Sequence, residues 1–443
     1  MSEQMHLAGF MHASHVVHSH AIWRHPKTHS GFLQPEYYQN VARTLERGNF
    51  DLVFFADILA LPDRYGNSFE TSVKYGTQGA VTLDPVLVAT TMAVATQKIG
   101  VGVTRSATYY APYDLARTFA TLDHLSKGRA AWNVVTSSGD GTAQNFGIEK
   151  HLEHDIRYDR ADEFIEATFK LWDSWKEGAL VLDKENGIFA DPTKVDYVHH
   201  SGKWLKTRGP LTVPRTPQGR PVIIQAGSSG RGKEFAARWA ETIFTSPLTP
   251  ADMKTFYKDV KSRMGKYGRD PEDCKILPAV VPFIGETESI AREKQALHHE
   301  LVHPLVGLAS LSNALNYDLS EFPLDKPLSE LEFREGNQSM YDQILKLSQD
   351  RGLTLGEIGK RYGQSRLVLQ IVGSPTQIAD QLQAIFQDEG ADGFVISPAY
   401  IPGAFEDFVD LVIPELQRRG LFRKEYTGNT LREHLGLKSL NSQ

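Results

Sequence analysis

The chain has 443 residues, 41% hydrophobic and 23% charged, with 48 Lys plus Arg against 54 Asp plus Glu and a formal charge of −6. That mix excludes a disordered or collagen-like chain, and the near balance of charge argues against a dedicated nucleic-acid binder. A single cysteine, Cys274, excludes an internal disulfide and any multi-cysteine zinc or iron–sulfur site, and its place before an apolar strand reads as inert packing.

Short apolar runs come at 5–10, 51–56, 99–104, 129–135, 221–226, 241–245, 276–284 and 393–397, and each is expected to be a strand. Several are apolar throughout, as strands of a parallel sheet buried on both faces are. Amphipathic segments of helical length lie between them. Residues 36–48 end at Gly48, a candidate C-cap. Asp84-Pro85 reads as an N-cap followed by proline at the first helical position. Residues 158–176 bring Phe164, Leu171, Trp172 and Trp175 close to one face. The segment from Ser374 carries a serine cap, Pro375 and Gln377, a capping-box pattern that runs to Gly390, and a last helix over 405–419 closes at Gly420.

This alternation predicts an α/β fold, a (β/α)8 TIM barrel, spanning 1–443 as a single domain with insertions. A doubly wound sheet competes, but no strand leads into G-x-G-x-x-G. Two stretches break the rhythm. Residues 177–220, rich in Gly, Pro, Asp and Lys, read as an insertion with its own short strands. Residues 300–362 have low periodicity before two helical pieces, and read as part of a lid among the βα loops. No apolar run reaches the roughly 18 residues of a membrane span, and no basic stretch precedes an apolar one at the N-terminus, so the protein is expected in the cytoplasm without a membrane partner.

A barrel places functional residues just after the C-terminal ends of its strands. After the first strand come His12, His15, His18, His20 and His25. They invite a metal reading, but no H-E-x-x-H or carboxylate ligand accompanies them, so no metal is expected and the alternative is loop histidines near a pocket. His20 and Trp23 are the candidates for pocket lining. Asp57 follows the second strand, either as a functional carboxylate or as a cap or ion-pair partner of Arg64. Thr104, Arg105 and Ser106 follow the third; Asn133, Thr136, Ser137 and Ser138 follow the fourth.

After the fifth strand, QAGSSGRGKEFAARWAE runs from strand through a Gly/Ser loop into a helix. Free N–H groups there, with Ser228, Ser229 and Gly230, form a candidate phosphate cradle to which Arg231 adds charge. Residues His151, His154, Tyr158 and Asp162 share one face if helical, either as an ion-pair face or with His154 and Tyr158 reaching a phosphate or a sugar hydroxyl from near the barrel mouth. No serine triad, nucleophile elbow or reactive cysteine is present. The candidate site is rich in binding groups and poor in protein-borne chemistry, which fits an enzyme whose phosphorylated cofactor supplies the reactivity.

The segments HLAGF, LERGNFDLVFFAD, ATYYAPYDLARTFATLDHLSKGRAAWNVVTS, NFGIEKHLEHDIRYDRADEF, HHSGKWLKTRGPL, VIIQAGSSGRGKEFAARWAE and GNTLREHLG jointly carry a specific pattern over essentially the whole chain. In it the chain resembles the flavin-dependent monooxygenases of the bacterial luciferase-like superfamily, in the group of nitrilotriacetate, dibenzothiophene sulfone and long-chain alkane monooxygenases. Its nearest likeness there is to the sulfone enzymes. The resemblance implies reduced FMN as co-substrate, delivered by a separate NADH-dependent flavin reductase. It implies oxidation of a small organic substrate, organosulfur or amine/carboxylate, by O₂ through a flavin (hydro)peroxide. It implies a homo-oligomer, dimer or tetramer. By motif position it implies FMN contacts at Asp57, Thr104, His154, Tyr158 and Ser229, with Asn133, Thr136 and Ser228 beside them. His20 is the candidate proton-handling residue.

Departures bear on the substrate. Ser14, Val17 and Ser138 stand where the alkane enzymes carry Cys, His and His, and 310–316 lacks a histidine of the sulfone enzymes. Those differences disfavour an alkane and leave a sulfone open. The alternatives are a metal-dependent barrel hydrolase built on the N-terminal histidines, a deazaflavin-dependent oxidoreductase on the same fold, and a non-catalytic flavin-binding subunit.

Overall fold

The computed structural model describes residues 4–331 and 338–440. Eight parallel strands close on themselves: β1 (His6–His12), β2 (Leu52–Ala56), β3 (Gly100–Ser106), β4 (Ala130–Val135), β5 (Val222–Gln225), β6 (Thr242–Thr245), β7 (Lys275–Ile284) and β8 (Gly393–Ile396). Each coincides with one of the apolar runs. The ring closes where Leu7 of β1 lies beside Phe394 of β8, while Gly9 lies beside Val53 of β2 on the other side. Leu7, Val53, Val101, Ile223 and Ile243 are all buried, as continuous apolar strands with both faces covered must be.

A ninth strand, Leu369–Gly373, was not legible in the sequence. It pairs only with the C-terminal half of β7, Ile371 lying beside Pro282. It is short and half-buried, so its pattern is weak. β7 accommodates it because its ten residues pair in turn with β6, β8 and this side strand.

The helices follow their end signals. α1 (Pro35–Arg47) ends at Gly48 as expected, although Asn49, at φ 57°, takes the left-handed position. α2 (Pro85–Val94) begins at Asp84, whose carboxylate accepts from the Val86 N–H at 2.8 Å. α3 (His154–Trp172) starts and stops four residues before the predicted segment. α4 (Gly230–Trp239) follows the Gly/Ser loop. The last predicted helix is interrupted by a π turn at Phe408–Val412, just before Pro414, which lacks the N–H an unbroken helix would use there.

Both insertions are present. Residues 177–220 hold two small antiparallel hairpins, Leu180–Asp183 with Ile188–Ala190 and His200–Ser201 with Lys206–Thr207. The second insertion departs from its expectation: its aperiodic opening is itself a helix, α5 (Pro304–Leu315). Two more follow, α6 (Gln338–Arg351) and α7 (Leu355–Ser365). α5 is apolar on nearly all sides because it is buried nearly all round, which erases the amphipathic period. These helices share a separate hydrophobic cluster that includes Leu311, Leu315, Ile344 and Ile358. A further helix, α8 (Pro375–Gln387), is capped by Ser374 and Gln377 as their spacing predicts. Cys274 is buried, and burial pushes its thiol up to about 12, as an inert packing residue requires. Among the described residues, no helix is long and apolar enough to cross a membrane.

α5 and α7 cross at glycine. A Cβ on Gly307 would lie 1.7 Å from the Gly359 carbonyl oxygen, so the two helices could not keep this approach with any other residue there. Gly307→Ala is therefore expected to loosen the helical insertion by about 1–3 kcal/mol while leaving the barrel intact. Hydrogen exchange should show faster exchange confined to α5, α6 and α7.

Candidate functional site

The barrel's C-terminal mouth encloses a cavity of about 520 Å³. Its floor is aromatic. Phe10 of β1, Phe54 of β2 and Phe244 of β6 form a triangle with ring centroids 5.3–5.5 Å apart. The His18 imidazole stacks on Phe10 at 4.0 Å. Its Nδ1 is 2.8 Å from the Ser397 hydroxyl, and its Nε2 makes no hydrogen bond among the described residues.

One wall is polar in a defined sense. The Thr104 hydroxyl donates to the Phe55 carbonyl at 2.7 Å, so it must accept from the Asn133 side-chain amide, also at 2.7 Å. That chain leaves Asn133 Oδ1 as a buried acceptor without a partner. Gln225 Oε1, at the end of β5, is in the same condition. Buried acceptors left unpaired are costly and point to a ligand that donates N–H or O–H groups.

Asp57 follows β2 and lines this cavity; its Oδ1 accepts from the Ile58 N–H at 2.9 Å. The Arg64 ion pair considered from sequence does not form, since Arg64 lies 3.5 Å from Asp140 instead. Burial pushes the Asp57 carboxyl up to about 7, the Ile58 N–H and Arg105 opposing and Asp84 reinforcing the shift.

The phosphate cradle expected after β5 lies at the rim. Ser229 caps α4 by accepting from the Gly232 N–H at 3.0 Å, and its hydroxyl is 3.2 Å from His154 Nε2. Tyr158 and Thr136 reach the cavity beside it. Ser228 and Gly230 are exposed, and a Cβ on Gly230 would meet nothing within 4 Å. Gly227 is different: a Cβ there would lie 2.5 Å from the Tyr158 hydroxyl and 2.4 Å from Gln225 Nε2. The loop thus wraps the Tyr158 hydroxyl closely while leaving its outer face open. Free N–H groups at a helix start, four hydroxyls and one imidazole fit a phosphate. The unpaired carbonyls of Asn133 and Gln225 fit the N–H edge of a flavin ring, so the residues present suit FMN.

Several expectations are corrected. Arg231 adds no free charge to the cradle, because it is paired with Asp159 at 3.0 Å and Asp162 at 2.5 Å. His151 precedes α3 rather than sharing its face, and bonds the Ser137 carbonyl at 3.2 Å. Trp23 is 46% exposed and does not line the cavity. Nor does His20, whose ring is buried with Nδ1 3.3 Å from the Gly363 carbonyl. His18, two residues earlier, lines it instead.

The five N-terminal histidines take separate partners. His12 meets Gln78 at 2.9 Å, His15 the Gly76 carbonyl at 3.1 Å, and His25 stacks on Tyr400 at 4.4 Å. Among the described residues no group of three His, Cys, Asp or Glu is arranged to hold a metal. Burial, with Arg366 adding to it, lowers His12 and His20 to about 3 and His18 well below its usual value, so these rings are neutral.

Sequence reading missed Phe10, Phe54, Phe244, Gln225 and Arg366. Phe10 and Phe54 sit inside apolar runs, where nothing separates an inward ring from an outward one. Gln225 was quoted only as the start of the loop.

The model of the luciferase-like monooxygenase family matches residues 13–393. The dibenzothiophene-sulfone monooxygenase of Rhodococcus erythropolis (strain XP) is 52% identical over 439 residues, 98% of this chain and 97% of that enzyme. Component A of the nitrilotriacetate monooxygenase of Aminobacter aminovorans is 45% identical over 446 residues, 98% of this chain and 97% of its own. A riboflavin lyase crystallised with modified FMN and riboflavin superposes with a TM-score of 0.90 at 32% identity, covering 98% of this chain and 96% of that one. The chain belongs to the luciferase-like monooxygenase family, flavin-using enzymes built on this barrel. The resemblance read from the sequence motifs is borne out.

Two outcomes test the site. Gly227→Ala should displace Tyr158 and Gln225 and weaken flavin binding about tenfold or more, measured by flavin fluorescence quenching. Asp57 titrates higher in the folded chain than its ordinary 3.8, so its ionisation opposes folding as pH rises from there to about 7. Asp57→Asn should gain thermal stability over the wild type across that window and keep a constant gain above it, as melting curves against pH would show.

Proposed function

We propose that the protein is the oxygenase of a two-component system. It takes reduced FMN from a separate NADH-dependent reductase and uses O₂ to oxidise a small organic substrate, organosulfur or amine/carboxylate in class. The observation that carries this is the pairing of the rim cradle with unpaired Asn133 and Gln225 acceptors over an aromatic floor. Family membership supports it, as do relatives named for a sulfone and for nitrilotriacetate.

In this reading Ser228, Ser229, His154, Tyr158 and Thr136 hold the phosphate end. Asn133 and Gln225 accept from the ring, beside Asp57 and the Thr104 hydroxyl that fixes the Asn133 amide. Reduced FMN, when bound, supplies two electrons to O₂ so that one oxygen atom enters the substrate and the other leaves as water. The residues of this chain provide the enclosure. Phe10, Phe54 and Phe244 exclude water from the floor, and α5 with α7 cover the mouth as a lid. His18, held neutral and anchored through Nδ1, presents Nε2 to the cavity as a fixed hydrogen-bonding group. His20 supports that loop from behind, bonded to Gly363.

The test is oxygen uptake under ¹⁸O₂ by the full chain with FMN, NADH and a flavin reductase, against sulfones, thioethers and aminopolycarboxylates. One compound should suppress peroxide release and yield a singly labelled product. Absence of flavin binding at micromolar concentration would overturn the reading. His18→Asn should cut labelled product about 100-fold and raise peroxide, with FMN still bound.

A further inference from the structure

The lid side of the cavity carries a positive charge that no carboxylate among the described residues pairs with. Arg366 follows α7 in a left-handed backbone conformation, φ 51°, and lines the cavity with Tyr362, Gln78, Ser310 and Asn313. Its Nε and Nη2 donate to the Tyr362 hydroxyl at 3.2 and 3.1 Å, and its Nη1 donates to Gln78 Oε1. Both acceptors are neutral. Gln78 is itself fixed, donating to the Val17 carbonyl and lying 2.9 Å from His12 Nε2.

Among the described residues Arg366 makes no ion pair, whereas Arg64 on the same cavity faces Asp140 at 3.5 Å. A guanidinium has five N–H donors, so each terminal nitrogen keeps one without an acceptor. The neighbouring imidazoles of His12 and His18 are neutral and offer no counter-charge. A cation held by neutral partners in a partly desolvated cavity is costly until an anion joins it, and a planar fork matches two oxygens of one acid group. The phosphate cradle, with Ser229, Tyr158 and His154, is a separate element at the rim after β5.

We propose that Arg366 is a substrate anchor that binds a carboxylate or sulfonate group, making the enzyme selective for organic acids. This rests on the monooxygenase reading above and names the substrate class for it. The same charge could be met by the anionic ring of reduced flavin, and the experiment separates the two sources.

Full-length protein, with and without FMN, is titrated by calorimetry with benzoate, benzenesulfonate and the neutral methyl benzoate. The two anions should bind the wild type about 30-fold more tightly than the ester. Arg366→Gln, which keeps a donor toward Tyr362, should erase that preference, and Arg366→Lys should restore part of it. The affinity for reduced FMN, measured anaerobically, should change less than about threefold in both. Equal binding of benzoate and its ester by the wild type, or an anion preference that survives in a folded Arg366→Gln, would overturn the proposal. So would loss of reduced-FMN affinity in Arg366→Gln with no anion preference in the wild type, which would assign the charge to the flavin. Failure of the wild type to bind FMN while anion binding persists would instead strike the cofactor reading.

Discussion

A parallel sheet closed into a barrel has both faces out of water, and most of what this protein does follows from that constraint. Inward positions are filled by strand residues such as Phe10, Phe54 and Ile224, and outward positions such as Leu7 and Val53 face the helices. Polar side chains with freedom to act are displaced to the strand ends. Here Asp57 follows β2, Thr104 and Asn133 lie inside β3 and β4 toward their C-terminal ends, and Gln225 with the Gly227–Ser229 loop ends β5; these four strands are neighbours in the sheet, and their common direction brings the residues around one mouth. No helix alone could gather them.

The same exclusion of water sets the protonation of the site. It keeps His12, His18 and His20 neutral, and raises Asp57 to about 7. In a medium of low polarisability each charged form is disfavoured unless a partner is present. Arg366 differs in its partners: its guanidinium is held by the Tyr362 hydroxyl and the Gln78 amide oxygen, both neutral. A cavity with neutral imidazoles, a carboxyl near its midpoint and one unmatched cation is an environment poised for ligands that bring N–H donors and negative charge.

The helical insertion makes this enclosure possible. α5 and α7 approach through Gly307 and Gly359, closer than side chains would allow, and their cluster is separate from the barrel core. Ser310, Asn313 and Arg366 are thereby carried to the cavity by elements that could rearrange without disturbing the strands.

The sequence by itself determined the eight strands, because continuous apolar runs are a local signature of burial on both faces. It determined the end signals of Asp84, Ser374 and Gly48, which act within one turn. Barrel topology then marked Asp57 and Ser229 as candidates, since strand ends can be counted along the chain, whereas Asn133 lies inside β4. Tertiary structure alone decided the rest. Whether His18 or His20 faces the cavity depends on the path of a loop with no periodicity. Whether Arg231 or Arg366 remains without an ion pair depends on carboxylates distant in sequence: Asp159 and Asp162 reach the first, and none among the described residues reaches the second. Charge can be read from one residue, but its compensation belongs to the neighbours that folding brings to it.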